Sequence, residues 1–570
     1  MKIRAKKSNF NFDTVMPWVI TLLVILLIFV PVAMLLFASF RGPIGALPIQ
    51  TRAYFTFDHY IDVLLRTATL RMAFETTIYL SFSLIVSMFF GTSLAWLTER
   101  ISIPKPNIFA ALFVLPFLLP PKLITGSWMD LFSSRSGSVN VFIREHIFLF
   151  ENFTSGPIHT SNLMAMGLGQ GLFLTPITFL IMAAAFRNMG NSFEEASFAS
   201  GAGHSRTMRS ITLPLLLPAL FTAMILGVWF TLNWTDVPFD LGAVGEVRLF
   251  SIKLYFQTIG SVGGFPNYGG AAAHGVLVFI LLSVLLIAFS KKSGNWRRYA
   301  VIDGSNARHP RSAIGVWGVL LISLATFYSI ATWGMPLYWL FNALIAGGVE
   351  PFHVVLTTER FWAITFNSLL IAMGSATLGT IIVVGVAWVV LRSNSKILKT
   401  PLDLLTTMPL VLPGQLVALA FMLAFLVLDF LPLWGTHLGL VVAFTFRLAI
   451  PYRLCNANLQ QISRVLDEAS YVSGGNLFAT FRHILIPMLL PAIVAAWTIF
   501  FIFAFREKNI VEYVGYGVRT FTTMGKLSSE AGWFAVATFL SILIMLSALI
   551  LVRYVFFRLS LRSGDWRRGN

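Results

Sequence analysis

The sequence predicts an all-α integral membrane protein with about twelve transmembrane helices, arranged as two parallel six-helix repeats. Three observations carry this. The 570-residue chain is 57% hydrophobic and only 11% charged, with a mean hydropathy of +0.79. Soluble domains carry about 25% charged residues. The apolar residues fall into separate runs, each near the roughly 20 residues that cross a bilayer as a helix. The second set of runs repeats landmarks of the first at nearly constant offsets.

The first set lies near residues 15–40, 73–98, 107–129, 162–187, 215–235 and 271–290. The second lies near 314–345, 366–391, 403–428, 436–455, 488–506 and 532–557. The opening run is longer than a signal-peptide core and has no convincing small-residue cleavage site, so it reads as a retained helix. The stretch Lys291–Arg311 is polar and basic and suits a cytoplasmic linker, which divides the chain into halves 1–300 and 301–570.

The halves are in register. Phe74 matches Phe366 and Ala95-Trp96 matches Ala387-Trp388, both 292 residues apart. Pro116 and Pro120 match Pro409 and Pro413 at 293, and Glu195 matches Glu468 at 273. Ser293-Gly-Asn-Trp-Arg-Arg298 matches Ser563-Gly-Asp-Trp-Arg-Arg568 at 270. The fall in offset predicts a longer external loop in the first half, around Ser133 to Asn162. Six spans per half make the repeats parallel, with a path expected where the two meet.

The net charge of +17 invites a nucleic-acid reading, but the charges sort by side. Lys2, Arg4, Lys6 and Lys7 precede the first span, which places the N-terminus in the cytoplasm. About two thirds of the 41 Lys and Arg residues then fall on the cytoplasmic side, while Asp and Glu lean to the other. Both termini are expected inside, and no nucleic-acid partner is. Cys455 is the only cysteine, so no internal disulfide forms. The nine histidines show no HExxH, and no metal ligands are assigned.

One motif occurs twice. Between the fourth and fifth runs the chain reads Glu194-Glu195-Ala-Ser-Phe-Ala-Ser-Gly201, then Ile211-Thr-Leu-Pro214. Between the tenth and eleventh it reads Asp467-Glu468-Ala-Ser-Tyr-Val-Ser-Gly474, then Ile484-Leu-Ile-Pro487. Ser192 with Glu195 fits a capping box at a helix start; the second copy has Val465 in place of that serine. The glycine suits a left-handed residue that ends a short helix and turns the chain. Pro214 and Pro487 are expected where the next helix begins. Each copy, about 189–214 and about 460–487, therefore predicts a helix–turn–helix knob on the cytoplasmic side.

The pattern resembles the Glu-Ala-Ala, three residues, Gly, nine residues, Ile-x-Leu-Pro signature of permeases of ATP-binding-cassette importers. Ser197 and Ser470 replace the second Ala, and Ile486 replaces Leu in the second copy. The resemblance implies a type I importer permease in which these loops dock on two ATPase subunits. The implied coupling residues are Glu195, Ala196, Gly201 and Pro214, with Glu468, Ala469, Gly474 and Pro487. It further implies a periplasmic or surface binding protein that delivers substrate, and a bacterial inner membrane for surroundings. Two fused permease halves resemble the branch of ferric-iron permeases, with thiamine, polyamine and phosphonate relatives. The stretch Ser134-Arg-Ser-Gly-Ser-Val-Asn140 and the pair Arg506-Glu507 resemble the ferric-iron branch.

No GxxxxGK[ST] loop is present, since Gly525-Lys526 lacks the rest of it; this chain is expected to bind no ATP and no other cofactor, and to leave hydrolysis to its partners. No catalytic constellation appears. A twelve-helix secondary transporter is the rival class, but such carriers place ionisable residues at mid-membrane. Here Glu75, Asp236, Asp240, Asp429 and Glu507 sit near external ends, with Arg447 toward the inner end of the tenth run. Gly167, Gly169 and Gly171 read as close helix packing. Asn233, Thr235 and Asp236 end the fifth run, and Arg506 and Glu507 end the eleventh. These five are candidates for lining the substrate pathway.

Overall fold

The computed structural model describes residues 12–147, 155–189, 192–242, 247–260, 264–293, 315–393, 396–428, 430–526 and 531–565. Most of the expected linker (294–314), part of the loop expected to be external (148–154) and Asp429 lie outside them, as do most of the two Ser-Gly-x-Trp-Arg-Arg stretches. The described chain is helical. Its one strand pairing sets Arg41–Gly42 antiparallel to Tyr54–Phe55.

Nine continuous helices among the described residues are long and apolar enough to cross a membrane. They are α1 (Val15–Ser39), α2 (Thr67–Arg100), α4 (Leu163–Arg187), α5 (Met208–Asn233), α6 (Tyr268–Leu285), α7 (Val316–Gly347), α8 (Glu359–Arg392), α11 (Leu477–Arg506) and α12 (Trp533–Phe556). Three bent pairs bring the number to 12 if each crosses as one span. These are α3 (Pro106–Phe117 with Pro121–Phe132), α9 (Ile397–Leu410 with Gly414–Val427) and α10 (His437–Thr445 with Ala449–Gln461). Each predicted run corresponds to one of these twelve.

Proline explains most of the irregularity. In α3 and α9 the repeated prolines mark the bends, of 85° and 115°. Pro116 and Pro409 tighten the first segment into a 3₁₀ turn, and Pro120 and Pro413 are extended (ψ 132° and 143°) just before the second. Among the described residues four π turns occur: Ile25–Phe29, Met208–Thr212, Ile330–Gly334 and Phe481–Leu485. Each stands two residues before a proline: Pro31, Pro214, Pro336 and Pro487. Proline has no N–H and its ring collides with the carbonyl four residues back. That carbonyl lies inside each π turn, and the wider turn accommodates the collision without breaking the helix.

This corrects one expectation. Pro214 and Pro487 do not open a helix. The helical backbone already runs from His204 and from Leu477, and it continues unbroken through the π turn of α5 to Asn233 and that of α11 to Arg506. The position of Arg447 also differs. Because α10 extends to Gln461, Arg447 sits at its bend, nearer its first residue than its last, where it pairs with Glu507.

Two compact units form, and they do not follow the sequence halves. One comprises residues 56–348; the other comprises 1–55 with 349–570. In the first, α7 packs on α2 and α3: Tyr328 Oη donates to the Phe113 carbonyl at 3.0 Å, and Trp128 Nε1 donates to that of Ala331 at 2.9 Å. In the second, α1 packs on α8 and α9, with Ile20 against Gly385. The leading helix of each half therefore belongs to the unit built from the other half.

Small residues set the packing inside the first unit. An added Cβ at Gly171 would lie 2.5 Å from Val86 Cβ and 2.7 Å from the Ser83 carbonyl oxygen; at Gly91 it would lie 2.6 Å from Thr178. Ser87 and Thr178 share a buried 2.7 Å hydrogen bond, and Tyr79 Oη donates to Gln170 Oε1 at 3.1 Å. Close backbone approach with polar side chains between is how helices associate where water supplies no hydrophobic force. α2 and α4 are thereby locked as one piece.

Candidate functional site

The two repeated motifs fold alike, each within its own unit. In the first, a short helix Ser192–Ala199 ends at Gly201, whose φ is +81°. The Gly201 N–H donates to the Phe198 carbonyl at 2.9 Å and the Ala202 N–H to that of Ser197 at 3.1 Å. In the second, Val465–Val472 ends at Gly474, with φ +83°. The Gly474 N–H donates to Tyr471 at 3.0 Å and the Gly475 N–H to Ser470 at 2.9 Å. Both are Schellman endings, in which a left-handed residue lets the last carbonyls of a helix find donors. The side chain of Ser192 is outside the described residues. The second helix has no side-chain cap at its start.

The serines that depart from the family's alanine hold each knob closed. Ser197 Oγ and Thr207 Oγ1 are 2.8 Å apart, as are Ser470 Oγ and Thr480 Oγ1. Each bond joins the short helix to the helix after the turn. In the second knob Asn476 adds an N-cap, its side chain accepting the Ala479 N–H at 2.8 Å.

Beneath each knob lies a buried arginine. Arg100, the last residue of α2, is 7% exposed; its Nη1 is 3.5 Å from Glu194 Oε2, and its Nη2 donates to the Met189 carbonyl at 3.3 Å. The other Glu194 oxygen accepts from Thr212 Oγ1 at 2.7 Å, within the π turn that begins α5. Arg392, the last residue of α8, is 8% exposed; its Nε is 3.0 Å from Asp467 Oδ2, and its Nη2 donates to the Ile462 carbonyl. Arg464 donates back to the Leu391 carbonyl. Burial pushes the Asp467 carboxyl above the usual carboxylate range, against the pull of Arg392 and Arg464.

Sequence reasoning missed this layer. Yet Arg100 and Arg392 are 292 apart, like the flanking Phe and Trp pairs, and Glu194–Asp467 and Thr207–Thr480 are 273 apart, like the glutamates. Extending the repeat beyond the signature residues would have found them. The six signature residues Glu195, Ala196, Gly201, Glu468, Ala469 and Gly474 are exposed, and Pro214 and Pro487 are half-buried. Apolar side chains stand out beside them: Phe193 and Phe198 on the first knob, and Val465, Tyr471, Phe478 and Val472, the last 89% exposed, on the second.

The pathway candidates are more constrained. Asn233 is buried and its Nδ2 donates to the Trp229 carbonyl at 2.7 Å. Thr235 is buried, and Asp236 opens a short helix, Asp236–Gly242. Arg506 is the last residue of α11. Glu507 is engaged: one oxygen pairs with Arg447 and the other accepts the Asn509 N–H at 3.2 Å. At the positions 273 earlier, the first half carries Leu174 and Trp234 in place of this ion pair.

The pattern of the family described as binding-protein-dependent transport system inner membrane component matches residues 68–295 and 381–561. The chain belongs to that family, whose members are multi-pass inner-membrane transport components. It is 26% identical over 450 residues to the ferric transport system permease protein FbpB of Actinobacillus pleuropneumoniae, covering 75% of this chain and 62% of that protein. It is 26% identical over 447 residues to the putative ferric transport system permease protein FbpB 1 of Haemophilus influenzae, covering 75% and 68%. The trehalose/maltose transport system permease protein MalF of Thermococcus litoralis is 23% identical over 304 residues, 52% of this chain and 97% of that one.

Proposed function

We propose that this chain is the permease subunit of an ATP-binding-cassette importer and that it carries ferric iron into the cytoplasm. The observation that carries the importer reading is the pair of knobs. Each is closed by the same Schellman turn and the same Ser–Thr bond, and each shows exposed apolar side chains outside the membrane spans. Exposed apolar surface of this kind fits docking by a protein partner. Two knobs imply two ATPase subunits, with Glu195, Ala196 and Gly201 contacting one and Glu468, Ala469 and Gly474 the other. A binding protein supplies the substrate on the opposite face, and both termini are cytoplasmic. ATP is bound and hydrolysed by the partners, so this chain supplies the pathway and the levers.

Ferric iron is favoured over sugars because the ferric permeases match 75% of the chain and the maltose-type relative 52%. Deleting the gene should lower uptake of ⁵⁵Fe(III) and leave thiamine, polyamine and phosphonate uptake intact. Loss of one of those instead reassigns the substrate. Uptake that stops with an uncoupler at constant ATP, and not on ATP depletion, would place the chain among secondary transporters.

A further inference from the structure

We infer that Arg100 and Arg392 are the residues that transmit movement of the knobs into the membrane helices. This rests on the importer reading above and goes beyond docking itself.

α2 and α8 are continuous helices of 34 residues each, and both end on the arginine beneath a knob. A cation at 7% or 8% exposure requires partners, because desolvation penalises it otherwise. The partners here are specific. Arg100 holds the knob carboxylate Glu194 and the Met189 carbonyl at the end of α4, while Glu194 also holds Thr212 at the root of α5. One carboxylate thus joins the knob to α2 and α5. Arg392 holds Asp467 and the Ile462 carbonyl at the knob's other approach, and Arg464 returns a bond to the end of α8. Neither acid is the signature glutamate. Glu195 and Glu468 point to solvent, and the residue before each is turned inward.

The consequence is mechanical. Flexible apolar contacts would let a knob slide on the helix above it. A buried ion pair with further hydrogen bonds has one arrangement and resists displacement. When a docked partner moves the knob, the end of α2 or α8 must follow. α2 is interlocked with α4 at Gly91 and Gly171, so the displacement continues along that pair. Arg100 and Arg392 are therefore positioning residues: docking does not need them, but transport does.

The test uses the full complex with its ATPase and binding protein in proteoliposomes, with ⁵⁵Fe(III) as the transported probe. In Arg100→Gln with Arg392→Gln, the ATPase should co-purify as with the unaltered chain and ATP hydrolysis should persist. The ATP consumed per iron transported should rise about tenfold, within the range usual for coupling between sites. Arg→Lys at both positions should recover part of the loss. The charge exchange Arg100→Glu with Glu194→Arg, and Arg392→Asp with Asp467→Arg, should recover coupling better than any of these changes alone. A Gln pair that transports at the unaltered ATP-to-iron ratio overturns the inference. So does a Gln pair that loses its ATPase and is not rescued by charge exchange, which would make the arginines structural only. If the Gln pair fails to reach the membrane, the isosteric Glu194→Gln with Asp467→Asn carries the same prediction, since both arginines keep their backbone carbonyls. Iron transport by the unaltered complex is the control: its absence refutes the substrate reading alone.

Discussion

Replacing Gly201 and Gly474 with aspartate separates docking from folding. Both glycines have left-handed backbone (φ +81° and +83°). A side chain there costs on the order of 1–2 kcal/mol, and Asp is among the residues that tolerate it best. A Cβ at either position meets nothing within 4 Å among the described residues, so no steric cost is added there. The Schellman hydrogen bonds come from backbone groups and survive the change. The substitution is therefore a local strain, small beside the packing of twelve helices, and the double variant should insert at normal levels. The open space around each glycine is on the exposed face of the knob. A partner fitted closely to that face meets both a new side chain and a new charge. The Gly201→Asp, Gly474→Asp variant should lose co-purification of the ATPase and abolish uptake. Each single variant should be milder, because the other knob still docks. Alanine at both sites should bring the strain with little of the obstruction, and so retain more ATPase than aspartate. A double aspartate variant that is stable, keeps its ATPase and transports normally would show that these loops are not coupling elements.

Other outcomes follow from the same geometry. A cysteine at Ser155 should label with an impermeant thiol reagent in intact cells and one at Val472 only after lysis; the reverse pattern sinks the topology, and the buried Cys455 leaves little background. Ser197→Ala with Ser470→Ala removes the bond across each knob at a cost of about 0.5–1.5 kcal/mol per bond. Thr207 and Thr480 keep their bonds to the Gly203 and Asn476 carbonyls, so hydrogen exchange in the knobs should speed up while uptake persists. Unchanged exchange would show that these hydroxyl pairs contribute nothing. For Asp467, burial raises the carboxyl pKa in the folded state, so the folded chain takes up this proton more readily than the unfolded one. The stabilisation it gives is complete below the ordinary Asp range and is lost as pH rises through the raised value. Acidification on the knob side should therefore leave the fold intact through this group while removing, at a higher pH than for an ordinary aspartate, the charge that faces Arg392. The ATP-to-iron ratio should rise, and Asp467→Asn should flatten that dependence. Identical pH profiles for the two chains would refute it.

The sequence by itself determined the membrane class, the twelve apolar runs, the duplicated plan and the knobs, because these depend on short stretches. A helix crosses a bilayer by its own length and apolarity, since all of its backbone bonds are internal. A left-handed turn is written in one glycine. Pro214 and Pro487 stand inside helices rather than at their starts, as Pro31 and Pro336 do, and each of the four follows a π turn. Only the tertiary structure decided the rest. Arg100 lies 94 positions before Glu194, and Arg392 75 before Asp467, so no local pattern joins them. The exchange of α1 and α7 was hidden for a different reason. In water an amphipathic stripe shows which face of a helix turns inward. In a bilayer, lipid and protein interior are equally apolar, so Trp317 facing outward and Tyr328 packed inward belong to one unbroken hydrophobic run. What chooses the neighbour there is the fit of small residues, ring edges and a few buried hydrogen bonds, such as Tyr328 to Phe113 and Trp128 to Ala331, and these exist only once the helices have met.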